Sequence, residues 1–334
     1  MAAARLALAV FMSSGGVVLP GSPCPCWPTS LCTSLSPQPH PGRREQAIFL
    51  AGGGPWYHGD ISTVLPWATT NITSVTVFGA NSFTKEMCEA HRHGARAITL
   101  LPLLPGGAGI NLSDSAYRHQ WVNESITHLE HYGGGGWDGA NLDVEGFEDA
   151  TKRDGLTAIV CELRAAMSKW LPGSQLSFDS SMDPISDNQY YDYKSLSDCV
   201  DFFVPMAYDL MGGQPAPNSP LPAVKSGLQN YAKLNIPMSS IVLALPFYGY
   251  SVPCAPHGDS KGCVLGSLWS SSAFQKPYGE IIDDLLPNAT TGPLWNESAS
   301  SPYFDYNDHS PRLQVGATRP HPHGYMQFGT STRR

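Results

Sequence analysis

Short strand-like runs alternate with longer helical patterns through most of the chain, and this rhythm narrows the choice of folds more than any other feature. The apolar or β-branched runs fall at residues 47–51, 74–79, 95–104, 139–145, 175–182, 200–209 and 241–248. Between the fourth and fifth, Leu156, Ile159, Val160, Leu163 and Met167 recur on one helical face, and Pro172-Gly173 stops the helix. Val122, Ile126 and Leu129 repeat that spacing before the fourth run and end in a glycine stretch at 133–136. A helix between two strands returns the chain to the same end of the sheet, so the strands run parallel with right-handed crossovers. An α/β architecture follows, either a barrel or a doubly wound sheet. At 334 residues the chain is within the span of a single (β/α)8 barrel, about 200 to 400 residues. Hydrophobic residues make up 42% and charged residues 14%, enough apolar surface to offset the entropy of folding and to exclude wholesale disorder.

The ends are irregular. Arg5 precedes the apolar run 6–11 and small residues follow to Ser22, the order of a secretory signal peptide over residues 1–22. That run is too short for a bilayer, and no later stretch reaches the roughly 20 apolar residues a spanning helix needs, so no membrane partner is expected. Eight cysteines are compatible with disulfides in an oxidising compartment, with buried thiols as the alternative for Cys88, Cys161 and Cys199. Cys24, Cys26 and Cys32 lack the spacing of a zinc site. Sequons at Asn71, Asn111, Asn123, Asn288 and Asn296 fit a glycosylated chain if they lie on loops. Together these features predict the secretory pathway, with the lysosome or secretion as destination. A net charge of −8 without a basic stripe excludes nucleic acid as a partner. Residues 251–310 read as an insertion and 316–334 as an atypical tail in which only 325–328 has strand character, so an eighth strand with its helix is not visible.

The segment Asp138-Gly-Ala-Asn-Leu-Asp-Val-Glu145 carries the chemistry. On a strand, Ala140, Leu142 and Val144 face one way while Asn141, Asp143 and Glu145 face the other. Turned into a barrel, the second set costs several kcal/mol unless hydrogen-bonded or used. Glu145 falls at the carboxyl end of the strand, the reactive face of such barrels. Like charges two residues apart raise the pKa of one carboxyl, which a general acid requires. A solvated edge strand and a divalent metal site are the alternatives.

These residues match the Asp-Gly-x-x-x-Asp-x-Glu signature of family 18 glycoside hydrolases, and Asn141 resembles a variant found in that family. In chain order, Cys24-Pro-Cys26 with Cys32, Phe178-Asp179, Met206-Ala-Tyr-Asp209, Pro246-Phe-Tyr-Gly-Tyr250, Leu294-Trp295 and Pro302-Tyr303 also resemble segments of a lysosomal branch. The resemblance implies a TIM (β/α)8 barrel over residues 23–315, with its eighth strand and helix missing or replaced. It also implies a monomeric exo-glycosidase that takes N-acetylglucosamine oligosaccharides without cofactor or metal. The implied reaction cleaves the GlcNAc-β-1,4-GlcNAc core of asparagine-linked oligosaccharides from the reducing end, with retention and substrate assistance. Carried over residue by residue, Glu145 is general acid and then base, and Asp143 orients the substrate's N-acetyl group. Asn141 supports Asp143, Asp138 holds the strand and Tyr208 binds the acetamido oxygen. Met206, Asp209 and Tyr248 shape the sugar subsite. Asp179 serves either the site or a local cap or ion pair.

The pattern departs from the family at Thr99-Leu-Leu-Pro102 with Pro105-Gly-Gly, at Ala244, and at the tail. Trp56, Tyr57, Trp269 and Trp295 either stack on sugars or pack locally. An endo-acting chitinase, a sugar-binding protein without turnover and an inactive truncated isoform remain the competing readings.

Overall fold

The computed structural model describes residues 26–33, 45–51, 61–65, 67–68, 71–78, 84–101, 111–131, 135–145, 150–186, 189–210, 216–254, 275–306 and 321–325. The expected leader, the departing loop at 102–110, Cys24, Cys263, Trp56, Tyr57 and Trp269 lie outside these residues. The chain divides into two compact units: residues 1–179, 188–203 and 239–242 form the first, and 180–187, 204–238 and 243–334 the second.

The predicted alternation is present. Strands β1 (Ala47–Ala51), β2 (Ser74–Phe78), β3 (Arg96–Leu101), β4 (Gly139–Asp143), β5 (Gln175–Ser181) and β6 (Phe202–Met206) form one sheet in chain order. The registers of β1 through β5 are parallel. Helices α1 (Ile61–Val64), α2 (Thr84–Arg92), α3 (Ser115–His131), α4 (Arg153–Trp170) and α5 (Tyr193–Leu196) fall between successive strands. This chain-order parallel arrangement is the strand sequence of a (β/α)8 barrel and not the reversed order of a doubly wound sheet.

Burial of one face fixes α4. Leu156, Ile159, Val160, Leu163 and Met167, the five residues of its predicted stripe, are all fully buried. Each is worth about 1.5–3 kcal/mol on burial. That outweighs the roughly 1 kcal/mol cost of Gly155 within the helix and the missing side-chain N-cap at Lys152. Arg164 then ties the helix to its neighbours, donating to the carbonyls of Cys199 and Ser174 and to the Asp201 carboxylate, 2.5 Å away. Close approach of β4 to β5 depends on Gly139, because a Cβ there would stand 2.1 Å from the Gln175 carbonyl oxygen.

The thiol alternative is corrected. Cys26 is bonded to Cys88 and Cys161 to Cys199, and Cys32 is also in a disulfide. Helical and strand patterning in the sequence hid this, since it cannot say which elements meet. Asn123 lies within α3 and not on a loop, although its side chain is exposed.

The seventh run also differs from expectation. Instead of a barrel strand over 241–248, two isolated parallel bridges join Phe203 to Ile241 and Met206 to Ala244. Pro205 lies opposite the gap between them and has no N–H to donate, so the ladder is interrupted. Strand β7 (Tyr248–Cys254) instead begins an antiparallel sheet in the order β8 (Gln275–Pro277), β7, β11 (His321–Tyr325), β10 (Ser301–Asp305), β9 (Leu294–Asn296). The described tail strand is 321–325, starting before the expected 325, and it pairs with β7 and β10; the rest of the expected run, 326–328, lies outside the described residues. Among the described residues no eighth parallel strand joins the first sheet. In the second unit, α6 (Leu221–Lys233) packs Val224 with Met182 and Ala207, and Gly227 admits the Met182 carbonyl where a Cβ would stand 2.0 Å from its oxygen.

The Cys161–Cys199 bridge closes a separation of 38 residues. Removing it as Cys161→Ala/Cys199→Ala should lower stability by about 4 kcal/mol on the chain-entropy account, read as a shift of the urea midpoint at unchanged slope.

Candidate active site

The period of two on β4 holds. Ala140, Leu142 and Val144 are buried, and Asn141 and Asp143 point from the other face of the strand. Asn141 is fully buried and satisfied in both directions: its Nδ2 donates to Asp179 Oδ2 at 2.8 Å, and its Oδ1 accepts from Ser177 Oγ at 2.6 Å. Its direct partner is therefore Asp179 on the neighbouring strand. Asp143 and Asp179 are paired across the β4–β5 register, which brings their carboxyl-bearing Cα atoms to about 5 Å. Glu145 is exposed just beyond the carboxyl end of β4.

Electrostatics follow from this crowding. Burial, aided by the charge of Glu145, pushes the Asp143 carboxyl up to about 7. Asp179 is raised well above the usual carboxylate range, by burial first and then by the charge of Asp143, against a smaller opposing effect of the Asn141 hydrogen bond. Asp143 Oδ1 and Asp179 Oδ1 are both buried without a hydrogen-bond donor.

Asp138 sits at the entry to the strand and is fully buried. Its Oδ2 accepts from the Ala97 amide at 2.7 Å and lies 2.7 Å from His91 Nε2. His91 Nδ1 is 2.6 Å from the Leu31 carbonyl oxygen, an acceptor only, so this nitrogen carries hydrogen. Burial alone would lower the His91 pKa, but the Asp138 hydrogen bond and charge and the Leu31 carbonyl together raise it above its usual value. The imidazolium thus clips the segment at Leu31 to the carboxylate that starts β4. Sequence reading missed His91, and also Tyr191, whose hydroxyl donates to the Val144 carbonyl between Asp143 and Glu145. Its ring meets Phe178 edge-on at 5.4 Å. The only hint of His91 was its place one turn after Cys88 on α2.

The second unit organises another set of predicted residues. Asp209 adopts the left-handed region, φ 57°, where its amide donates to Asn218 Oδ1 at 2.6 Å. Its Oδ1 accepts from both Tyr248 Oη at 2.5 Å and Tyr250 Oη at 2.7 Å, and Gln275 Nε2 donates to Tyr250 Oη. Both phenols are pushed upward, by burial and by the Asp209 charge, and stay protonated donors. Tyr208 packs edge-on to Tyr248 with ring centroids 6.2 Å apart, and Met206 and Tyr208 are half-buried. Asn218 and Tyr250 carried no recognised role in the sequence reading. Trp295 on β9 is 52% exposed, which leaves a face open to solvent.

Among the described residues no group of His, Cys, Asp and Glu is placed to hold a metal ion. No described helix is long and apolar enough to cross a membrane.

Because Asp143 holds its proton to about pH 7 in the folded chain but titrates near 3.8 when unperturbed, the folded state binds more protons between these values. Stability should therefore fall as pH rises from about 4 to about 7. His91 acts in the same direction higher up: its contribution is complete below its ordinary value of 6.5 and is lost as pH rises through its raised folded value. Urea midpoints measured across this range should decline, and Asp143→Asn should flatten the lower part of the curve. His91→Ala, which strands a buried carboxylate, should cost about 3–5 kcal/mol at pH 6 in the same assay.

Residues 106–314 match the model of glycosyl hydrolases family 18. Di-N-acetylchitobiase of Homo sapiens is 28% identical over 305 residues, spanning 86% of this chain and 74% of the relative. Among solved structures, the C-terminal domain of a putative chitinase from Desulfitobacterium hafniense superposes with a TM-score of 0.62 at 19% identity, covering 85% of this chain and 86% of that one. A GH18 chitinase from Cycas revoluta in complex with (GlcNAc)3 gives 0.59 at 17% identity, covering 84% and 87%. The α/β barrel fold is common to them. With the family match covering more than half of its length, the chain belongs to glycosyl hydrolase family 18.

Proposed function

We propose that the chain is a retaining, substrate-assisted exo-glycosidase that splits the GlcNAc-β-1,4-GlcNAc core of asparagine-linked oligosaccharides from the reducing end, in the lysosome. The observation that carries this reading is the carboxyl arrangement on β4: an exposed Glu145 two residues beyond a half-buried Asp143 whose pKa is raised to about 7. The similarity to di-N-acetylchitobiase supports the choice of substrate.

In this reading Glu145 gives its proton to the glycosidic oxygen as the bond to the anomeric carbon breaks. The substrate's acetamido oxygen attacks that carbon in place of an enzyme nucleophile and forms a cyclic oxazolinium. Asp143 in its ionised form accepts from the acetamido N–H and offsets the positive charge that develops there, so the step weakens as pH falls below about 7. Tyr208 donates to the acetamido oxygen, and Met206, Asp209 and Tyr248 contact the sugar. Water then opens the ring from the same face, with Glu145 taking its proton, so configuration is retained. Asp138 and Asn141 hold β4 and Asp179 in place for these steps.

Release of GlcNAc from di-N-acetylchitobiose at mildly acidic pH tests the reading. Glu145→Gln should lower kcat by about 100-fold or more while the sugar still raises the melting temperature of the mutant. Hydrolysis at the wild-type rate in that mutant would refute the mechanism. The rate should peak just below neutral pH, where Glu145 must still keep its proton and Asp143, raised to about 7, begins to ionise, and a peak well above neutral would contradict the assignment.

A further inference from the structure

Asp179 enters none of the chemical steps above, yet it is among the most buried ionisable groups in the first unit, 5% exposed. Its Oδ2 is taken by the Asn141 amide, which in turn is fixed by Ser177. Its Oδ1 has no donor, and neither does Oδ1 of Asp143, the residue it faces in the β4–β5 register. Two ionised carboxylates so placed would leave two buried, unsatisfied negative oxygens side by side, which costs several kcal/mol. A single proton on Asp179 Oδ1 removes both defects, because a protonated carboxyl is a donor.

We propose that Asp179 is a permanently protonated positioning residue, whose Oδ1–H donates to Asp143 Oδ1 and holds that carboxyl in the orientation its role requires. The charged groups acting on Asp179 are Asp143 and Glu145, both from the β4 side, and both disfavour its ionisation. Asn141 is suited to the arrangement: its amide donates to the carbonyl oxygen of a neutral acid as readily as to a carboxylate, leaving the second oxygen for the proton. No bond other than the hydrogen bond is made or broken at Asp179, and its proton stays there throughout turnover.

The proposal rests on the function given above for Asp143, and it is tested with and without turnover. Asparagine at 179 offers the same two contacts, an oxygen toward Asn141 and an N–H toward Asp143, whereas alanine offers neither. Asp179→Ala should lower kcat on di-N-acetylchitobiose by about 100-fold with little change in KM, and Asp179→Asn should recover about tenfold of that loss. The near-neutral titration of Asp143 should move upward in Asp179→Ala and stay in place in Asp179→Asn. Equal losses in the two variants would mean that the charge of an ionised Asp179 is what matters, and would overturn the proposal.

If the wild-type chain fails to hydrolyse the sugar, the functional reading fails but this inference is still decided by infrared spectroscopy. A protonated-carboxyl band should persist in the full chain at pH 8 and vanish in Asp179→Asn. A wild-type chain with no such band at pH 8, or a band unchanged in that variant, would overturn it even if a variant folds poorly.

Discussion

The pairing of β4 with β5, from Gly139 beside Gln175 to Asp143 beside Asp179, is the constraint on which the rest of the first unit depends. It can form only because Gly139 has no side chain to meet the Gln175 backbone. Once formed, it brings carboxyls from two strands together in a place where water reaches neither Oδ1 atom. The surrounding structure answers that cost with hydrogen bonds. Asn141 links Ser177 to Asp179, Tyr191 holds the Val144 carbonyl, and apolar Ala140, Leu142 and Val144 anchor the opposite face. Among the described residues, the two Oδ1 atoms of Asp143 and Asp179 are left over in this carboxyl cluster, and the raised pKa values follow from the same crowding.

A second buried charge is handled differently. Asp138 is paid for by a protonated imidazole and a backbone amide, and His91 passes the interaction on to the Leu31 carbonyl. The Cys26–Cys88 bridge reaches the same helix, so α2 holds the early segment by a disulfide and by hydrogen bonds from His91 to the Leu31 carbonyl and from Arg92 to the Trp27 carbonyl. The strand that bears the signature is thereby made dependent on residues more than 40 positions before it. In the second unit, Asp209 accepts from two phenols, which leaves both tyrosines as fixed donors.

Much of the architecture was legible because it rests on periodicity. The stripe of α4 and the alternation on β4 are repeating patterns, and burial selects them directly. The seventh barrel strand was not legible as such, since its apolar run looks continuous while the missing donor lies on another segment, at Pro205. The tail strand was placed four residues too late for a similar reason: pairing with β7 and β10 sets its register, and 321–325 has no strong strand composition of its own. Disulfide partners, likewise, are a matter of which elements meet.

The sequence by itself determined the family, the alternating α/β order and the identity of the carboxyl row, because these are encoded in local spacing and in one eight-residue motif. Tertiary structure alone decided which carboxyls confront one another. Asn141, expected to support Asp143, makes its bond to Asp179 across the sheet, and His91 reaches Asp138 from 47 residues away. Those contacts depend on strand register and helix placement, which arise from the packing of the whole unit and leave no trace in the spacing of the residues themselves.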